Sequence, residues 1–179
     1  CTSLSRIELP DSVISVGAYA FGNCTQIEEV KLSKNLESMR YGVFEGLTKL
    51  TEIEIPKSLD WCDYNWEASW CAGEGVFKGC TNLKKVTFEK GTKQIAQALL
   101  FECEGIEEIE IPDTVTEIEY GAFANCKNLS KITISDSVTI RGECAFEKCT
   151  SLKKIELSDS VEIIESSAFR DCMLLEKID

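Results

Sequence analysis

Residues 103–125 read CEGIEEIEIPDTVTEIEYGAFAN, and the same 23-residue unit recurs along the 179-residue chain. A cysteine usually opens the unit, apolar residues stand at positions 4, 7 and 9, and a phenylalanine usually stands at position 21. The cysteines in this register are Cys1, Cys24, Cys80, Cys103, Cys126, Cys149 and Cys172. Leu47 takes the cysteine's place in the third copy. Repeats therefore begin at residues 1, 24, 47, 80, 103, 126 and 149, with a partial repeat at 172.

Each unit contains two short apolar segments. The first, L-x-x-I-x-L, has the alternation of a strand that is buried on one face, and position 7 is Ile or Val in every copy. Proline ends this segment at Pro10, Pro56 and Pro112, because proline offers no N–H to a strand ladder. A turn, a second apolar segment and an Ala-Phe pair complete the unit. One such unit cannot bury its apolar face alone, so we expect the units to stack around a continuous core.

This pattern resembles the BspA-like (Treponema-type) class of bacterial leucine-rich repeats, whose unit has the form C-x-x-L-x-x-I-x-L-P-x-S-V-x-x-I-x-x-x-A-F. The likeness extends over essentially the whole chain, 1–179, as one domain. It implies a leucine-rich-repeat solenoid, a right-handed coil with a parallel sheet on its concave face and short strands and turns on the return arc. It also implies a secreted or surface-attached bacterial protein, because relatives act in adhesion to host proteins or other cells.

Local departures from the pattern occur in the third, fourth and sixth repeats. Leu47 replaces a cysteine, and the fourth repeat loses the proline and the Ala-Phe pair. In the sixth repeat Ile140 stands one place early and Arg141 occupies an expected apolar position. We expect local irregularity at these places and no change of fold.

Composition excludes several classes of function. Nineteen Lys and Arg residues against 31 Asp and Glu residues give a formal net charge of −12, which opposes attraction to nucleic acid or anionic lipid. The chain has no histidine, the commonest general base and neutral metal ligand. No apolar run approaches the roughly 18 residues of a membrane helix. We therefore expect a non-enzymatic interaction protein with no cofactor, no bound metal, no nucleic-acid partner and no membrane insertion.

Positions 6 and 8 of the unit are expected to face outward on the concave side, where they carry charges of both signs. Glu29, Glu52 and Glu54 form the most acidic region and would favour a basic ligand. Two interpretations stay open for this face. It is either a solvated surface kept soluble by mixed charge or a docking surface for a protein partner.

Residues 60–75, DWCDYNWEASWCAGEG, make the third repeat ten residues longer than the others and contain all three tryptophans. The sequence places this insertion on the return arc, since Leu59 and Val76 match positions 13 and 20 of the unit. The favoured interpretation packs the tryptophans on the solenoid. An alternative makes the aromatic residues an exposed binding site for a protein or a glycan. A calcium site at Asp60, Asp63 and Glu67 has no supporting motif. The aromatic candidates are Trp61, Tyr64, Trp66 and Trp70.

The cysteines divide into two groups. Those in register are expected to be small buried apolar residues between rungs. Cys62 and Cys71 lie out of register, and a disulfide between them would close the insertion. A metal site there lacks histidine and C-x-x-C spacing. Many unpaired thiols and the lack of a signal segment in this sequence favour the alternative of a cytoplasmic scaffold.

Neither end of the repeat pattern carries a polar cap. We therefore expect a segment of a longer array, whose ends stack end to end or are covered by dimerisation.

Overall fold

The computed structural model describes residues 1, 3–63, 75–134, 138–140, 142–157, 161 and 163–178. Of Ile140 it describes the backbone only. Within these ranges the chain is a parallel β-solenoid of fourteen short strands with no helix. Each complete repeat contributes two strands to two separate ladders, except that the seventh contributes one described strand. The expected leucine-rich-repeat solenoid is confirmed.

The first ladder runs through the L-x-x-I-x-L segments. Its strands, numbered in chain order, are β1 (Arg6–Glu8), β3 (Glu29–Lys31), β5 (Glu52–Ile55), β7 (Lys85–Phe88), β9 (Glu108–Glu110), β11 (Lys131–Thr133), β13 (Lys154–Ile155) and β14 (Lys177–Ile178). They pair in parallel two by two, as β1–β3, β5–β7, β9–β11 and β13–β14. Ile7 lies opposite Val30 and Ile109 opposite Ile132, and all four side chains are buried. Period-2 alternation thus places position 7 in the core and positions 6 and 8 outside, as the sequence predicts.

The second ladder runs through the later apolar segments. Its strands are β2 (Ser15–Val16), β4 (Ser38–Met39), β6 (Trp61–Cys62), β8 (Gln94–Ile95), β10 (Glu117–Ile118) and β12 (Thr139–Ile140). They form two three-stranded sheets, β2–β4–β6 and β8–β10–β12. Position 16 points inward, since Val16, Met39, Cys62, Ile95 and Ile118 are buried.

A stack of phenylalanines fills the core beneath the return arc. Neighbouring rings lie nearly parallel with centroids 5.2 to 5.7 Å apart, in the runs Phe21–Phe44–Phe77 and Phe123–Phe146–Phe169. Leu100 of the irregular fourth repeat stands between the two runs and is completely buried. The rung therefore keeps its apolar position without the aromatic ring.

The last residue of each repeat adopts the left-handed backbone conformation. The φ angles at position 23 run from 57° to 69° at Asn23, Gly46, Gly79, Glu102, Asn125, Lys148 and Asp171. Glycine and asparagine enter this region easily, whereas other residues do so at a conformational cost. This recurring turn is absent from the sequence prediction because Glu102, Lys148 and Asp171 do not signal it.

The sixth repeat restores its register by a one-residue shift. Ile140 lies opposite Ile118, so it takes the apolar position that counting along the sequence assigned to Arg141. The regular register is restored at Gly142, whose N–H donates to Ile118 O at 3.0 Å. A Cβ on Gly142 would lie 2.2 Å from the carbonyl carbon of Glu119. Only glycine fits this approach without displacing backbone.

The insertion is shorter than the sequence indicated. Trp61 and Cys62 lie opposite Ser38 and Met39, and Asp63 N–H donates to Met39 O at 2.9 Å, so residues 60–63 continue the second ladder. The repeat resumes at Gly75, whose carbonyl accepts the Gly42 N–H at 3.2 Å. The prediction that the chain leaves the coil at residue 60 is wrong. The reason is strand alternation. The Trp61 side chain points outward and the Cys62 side chain points inward, as in the other strands of the second ladder. The excess is confined to residues 64–74.

Candidate functional site

The three glutamates predicted as the acidic region come together on the first ladder. Glu29, Glu52 and Glu54 line one concavity of about 780 Å³ formed by β3, β5 and β7. We call this concavity the acidic groove. Its remaining charged residues are Glu28, Glu89, Lys31, Lys34 and Lys85. Among the described strands, β3 contacts β5 without being hydrogen-bonded to it, so the groove lies where two strand pairs meet.

Most charges of the groove are matched by ion pairs at the surface. Arg6 lies 3.5 Å from Glu29, and Lys85 Nζ lies 3.2 Å from Glu52. Lys31 Nζ donates to Glu8 at 2.6 Å, and this hydrogen bond lowers the pKa of the Glu8 carboxyl. These groups are exposed, so solvent and salt screen the pairs. The face is therefore charged in both signs, as the sequence indicates.

Glu54 differs from the other carboxylates of the groove. Its cross-strand neighbour in β7 is Thr87, which brings no charge. Lys31, at the same position of β3, is turned toward Glu8. Within the described part of the chain no cationic group lies within 4 Å of Glu54, whereas Glu28, Glu29, Glu52 and Glu89 each have such a partner. Glu54 is thus the carboxylate of the groove that a cation of a partner would meet first.

Trp61 is the predicted aromatic candidate whose position the structure describes. Its side chain is 41% exposed, so the interpretation in which the insertion tryptophans pack on the solenoid is wrong for Trp61. The reason is the strand alternation, which turns Cys62 inward and Trp61 outward. Nearby, Arg40 Nε lies 3.2 Å from Asp63 Oδ2. The other aromatic candidates, Tyr64, Trp66 and Trp70, lie outside the described residues, as does Glu67 of the weak calcium hypothesis.

Cys62 is a core residue of the second ladder. Its thiol is free and completely buried, and burial raises the pKa of this thiol far above its ordinary value. Cys71 lies outside the described residues, so the Cys62–Cys71 disulfide stays an untested prediction.

The cysteines in register are structural thiols. Cys126 Sγ donates to Leu100 O at 3.0 Å, and Cys149 Sγ donates to Phe123 O at 3.2 Å. Each thiol thereby joins its rung to the turn of the rung before. Burial raises the pKa of Cys80 to about 12 and that of Cys172 to about 11. These thiols remain protonated and unreactive at neutral pH. The expected burial is confirmed for the interior rungs, and the hydrogen bonds to carbonyls are an addition that sequence spacing did not indicate.

Other site types find no support among the described residues. No group of three or more His, Cys, Asp or Glu side chains there is arranged to hold a metal ion. No helix in the same ranges is long and apolar enough to cross a membrane.

Parallel two-strand rungs, an inward ladder of aliphatic side chains and a 23-residue period define a leucine-rich-repeat solenoid. The sequence model of the family described as BspA type leucine rich repeat region matches residues 1–66 and 72–179 of the chain, in six copies. The chain belongs to the BspA-type leucine-rich repeat family, which confirms the resemblance drawn from the sequence.

Solved structures of bacterial leucine-rich repeat proteins share the fold. A leucine-rich repeat protein from Bacteroides ovatus is 31% identical, with a TM-score of 0.68, over 93% of this chain and 41% of its own. The Treponema pallidum leucine rich repeat protein is 27% identical, with a TM-score of 0.65, over 85% of this chain and 66% of its own.

A third structure shows the fold alone. A leucine rich cell surface protein from Faecalibacterium prausnitzii is 24% identical, with a TM-score of 0.52, over 99% of this chain and 54% of its own. The chain thus spans roughly half or less of the Bacteroides and Faecalibacterium proteins. No curated protein sequence is significantly similar to the chain.

Proposed function

We propose that this chain is a non-enzymatic protein-interaction module whose partner binds the acidic groove. The observation that carries the proposal is the meeting of Glu29, Glu52 and Glu54 in one concavity of the first ladder. Stacked repeats present long surfaces of this kind for binding. The absence of histidine, the commonest general base, from the chain also favours a binding role over an enzymatic one.

The charge of the groove favours a basic partner segment. Five carboxylates and three lysines line it, and among the described residues no cationic group lies within 4 Å of Glu54. An extended segment with Lys or Arg at alternate positions would place one cation near Glu54 and another between Glu29 of β3 and Glu52 of β5. Electrostatic complementarity of this kind sets specificity and association rate more than raw affinity.

We also propose that the protein acts outside the cell or at its surface, in adhesion. The family resemblance, which implies a secreted or surface-attached protein, supports this location. The alternative is an intracellular scaffold, which the many free thiols favour. Protease treatment of intact cells of the producing bacterium, followed by immunoblotting, distinguishes them, because a surface protein is cleaved and an intracellular protein is protected.

A peptide library displayed on phage and selected on the folded chain tests the proposed partner. We expect Lys- and Arg-rich sequences to be enriched at low salt. Amide NMR shifts on titration with one such peptide should then concentrate in β3, β5 and β7. Enrichment of apolar or acidic sequences, or shifts confined to the second ladder, would refute the proposal.

A further inference from the structure

The outward side of the second ladder carries a row of hydrogen-bonding side chains with one tryptophan in its middle. This row, which we call the outer strip, contains the first residue of each strand, namely Ser15, Ser38, Trp61, Gln94, Glu117 and Thr139. Within each three-stranded sheet successive members lie one rung, about 4.8 Å, apart, whereas β6 and β8 belong to different sheets and are not paired with each other. The outer strip therefore consists of two polar rows, one of Ser15, Ser38 and Trp61 and the other of Gln94, Glu117 and Thr139.

Hydrogen bonds fix the surroundings of Trp61 in this row. The backbone N–H of Trp61 donates to Glu37 O at 3.3 Å. This bond holds the residue in the ladder with its side chain outward. On one side, Ser38 Oγ donates to Ser15 Oγ at 3.0 Å. On the other, Gln94 Nε2 donates to Asp60 O at 2.6 Å and so joins β8 to β6. An exposed indole thus lies between an ordered hydroxyl and an ordered amide.

This arrangement fits the chemistry of a sugar chain. A pyranose ring has a face of C–H groups and a rim of hydroxyls. The C–H face packs on an aromatic ring, whose face is electron-rich. The hydroxyls form hydrogen bonds with side-chain hydroxyl, amide and carboxylate groups. Ser38 Oγ, in the strand paired with that of Trp61, provides one such group, and the side-chain amide of Gln94, which reaches Asp60 O, provides another.

A protein hot spot needs different surroundings. Aromatic hot spots lie in well-packed, desolvated pockets ringed by contacts that exclude water. The neighbours of Trp61 along the outer strip are polar, and Trp61 lines neither of the two concavities found on the first ladder. The polar neighbours therefore favour a glycan over a protein at this place.

We propose that the outer strip binds a neutral glycan chain, with one sugar ring stacked on Trp61 and the adjacent rings bonded to Ser38 and Gln94. Asp60 and Glu117 disfavour sulfated or carboxylated chains, because like charges repel. The site lies on the second ladder, so it is independent of the partner proposed for the acidic groove.

Titration calorimetry with cello-, xylo-, manno- and chito-tetraose tests the proposal. We expect at least one of them to bind and Trp61→Ala to weaken it about tenfold or more, as loss of one aromatic stacking contact with its buried area implies. Trp61→Tyr should retain part of the affinity, and Gln94→Ala should weaken it by a smaller factor. Thermal melting of each variant checks that the fold is intact. We expect Trp61→Ala to fold, because the Trp61 side chain is exposed.

The matched control is Glu54→Lys, which alters the acidic groove and should leave sugar binding unchanged. The Trp61 indole N–H resonance, assigned from its loss in Trp61→Phe, should shift on addition of the sugar that binds. Three results would overturn the proposal. They are no binding of any of the four sugars at millimolar concentration, equal affinity of wild type and Trp61→Ala, or a Trp61→Ala effect confined to protein ligands.

Discussion

Ile140 lies directly opposite Ile118 in the second ladder, although counting from Cys126 places it one residue before that position. The strand shifts by one residue, and the chain then passes so close to Glu119 that Gly142 is required. The sixth repeat thus departs from the 23-residue count by one residue at Ile140 and returns to it before the repeat ends. This return requires a glycine at position 142, where a side chain would meet the backbone of Glu119.

Gly142→Ala should lower the free energy of unfolding by about 1–3 kcal/mol, because the new methyl group would meet the backbone of Glu119. Urea denaturation followed by circular dichroism measures this. The control is Gly17→Ala, since a Cβ on Gly17 would meet nothing within 4 Å. Equal stability of the two variants would refute the account of the shifted register.

Gly79→Ala should destabilise the protein by about 1–2 kcal/mol through backbone conformation alone. Gly79 has a φ of +69°, and a Cβ there would make only ordinary contact, at 3.7 Å, with Gly46. Gly79→Asn is the matched variant, because asparagine tolerates the left-handed region, and it should lose clearly less stability. If alanine and asparagine prove equally destabilising in urea denaturation, the left-handed turn is not the cause.

Stability should fall as pH rises above about 8.5, the ordinary pKa of a thiol. Burial raises the pKa of Cys80 to about 12 and raises the pKa values of Cys103 and Cys126 well above the ordinary value, so these thiols stay protonated in the folded state. The unfolded chain loses those protons first, which favours unfolding at high pH. The decline should approach about 1.4 kcal/mol per pH unit for each buried thiol.

Urea denaturation at pH 7 to 10 measures this decline, and Cys103→Ala should reduce its slope by the share of one thiol. A free energy of unfolding that stays constant up to pH 10 would contradict the burial of these groups.

Thiol titration should distinguish exposed from buried cysteines. Cys1 is exposed and should react at once with an aromatic disulfide reagent, whereas Cys62 and Cys103 should react only after unfolding. Denaturation without a reductant should expose all ten thiols of the sequence, since Cys62 is free and buried. Eight thiols that rise to ten after reduction would instead establish the Cys62–Cys71 disulfide. Fast reaction of Cys103 in the native state would argue against the buried ladder.

The period of the sequence predicts the coil, its core positions and its acidic face, because every rung repeats the same alternation. It does not predict the backbone path in repeats whose length differs from 23 residues. Residues 60–63 are rich in tryptophan, cysteine and aspartate and thus resemble a loop, yet cross-strand pairing with Ser38 and Met39 keeps Trp61 and Cys62 in the ladder. Pairing between distant residues also imposes the left-handed turn at Glu102 and Lys148, which have no local preference for it.

Glu54 and Glu110 provide the most direct test of the proposed function. Both stand at position 8 of the unit, both are exposed, and neither has an ion pair among the described residues, but only Glu54 lines the acidic groove. The measurement is the dissociation constant of the selected basic peptide for wild type, Glu54→Lys and Glu110→Lys at equal salt. We predict that Glu54→Lys weakens binding about tenfold or more, as loss of a charge contact and a new repulsion imply, while Glu110→Lys changes it by less than about threefold. Equal weakening by both substitutions would show that only net charge matters, and it would contradict binding in the groove.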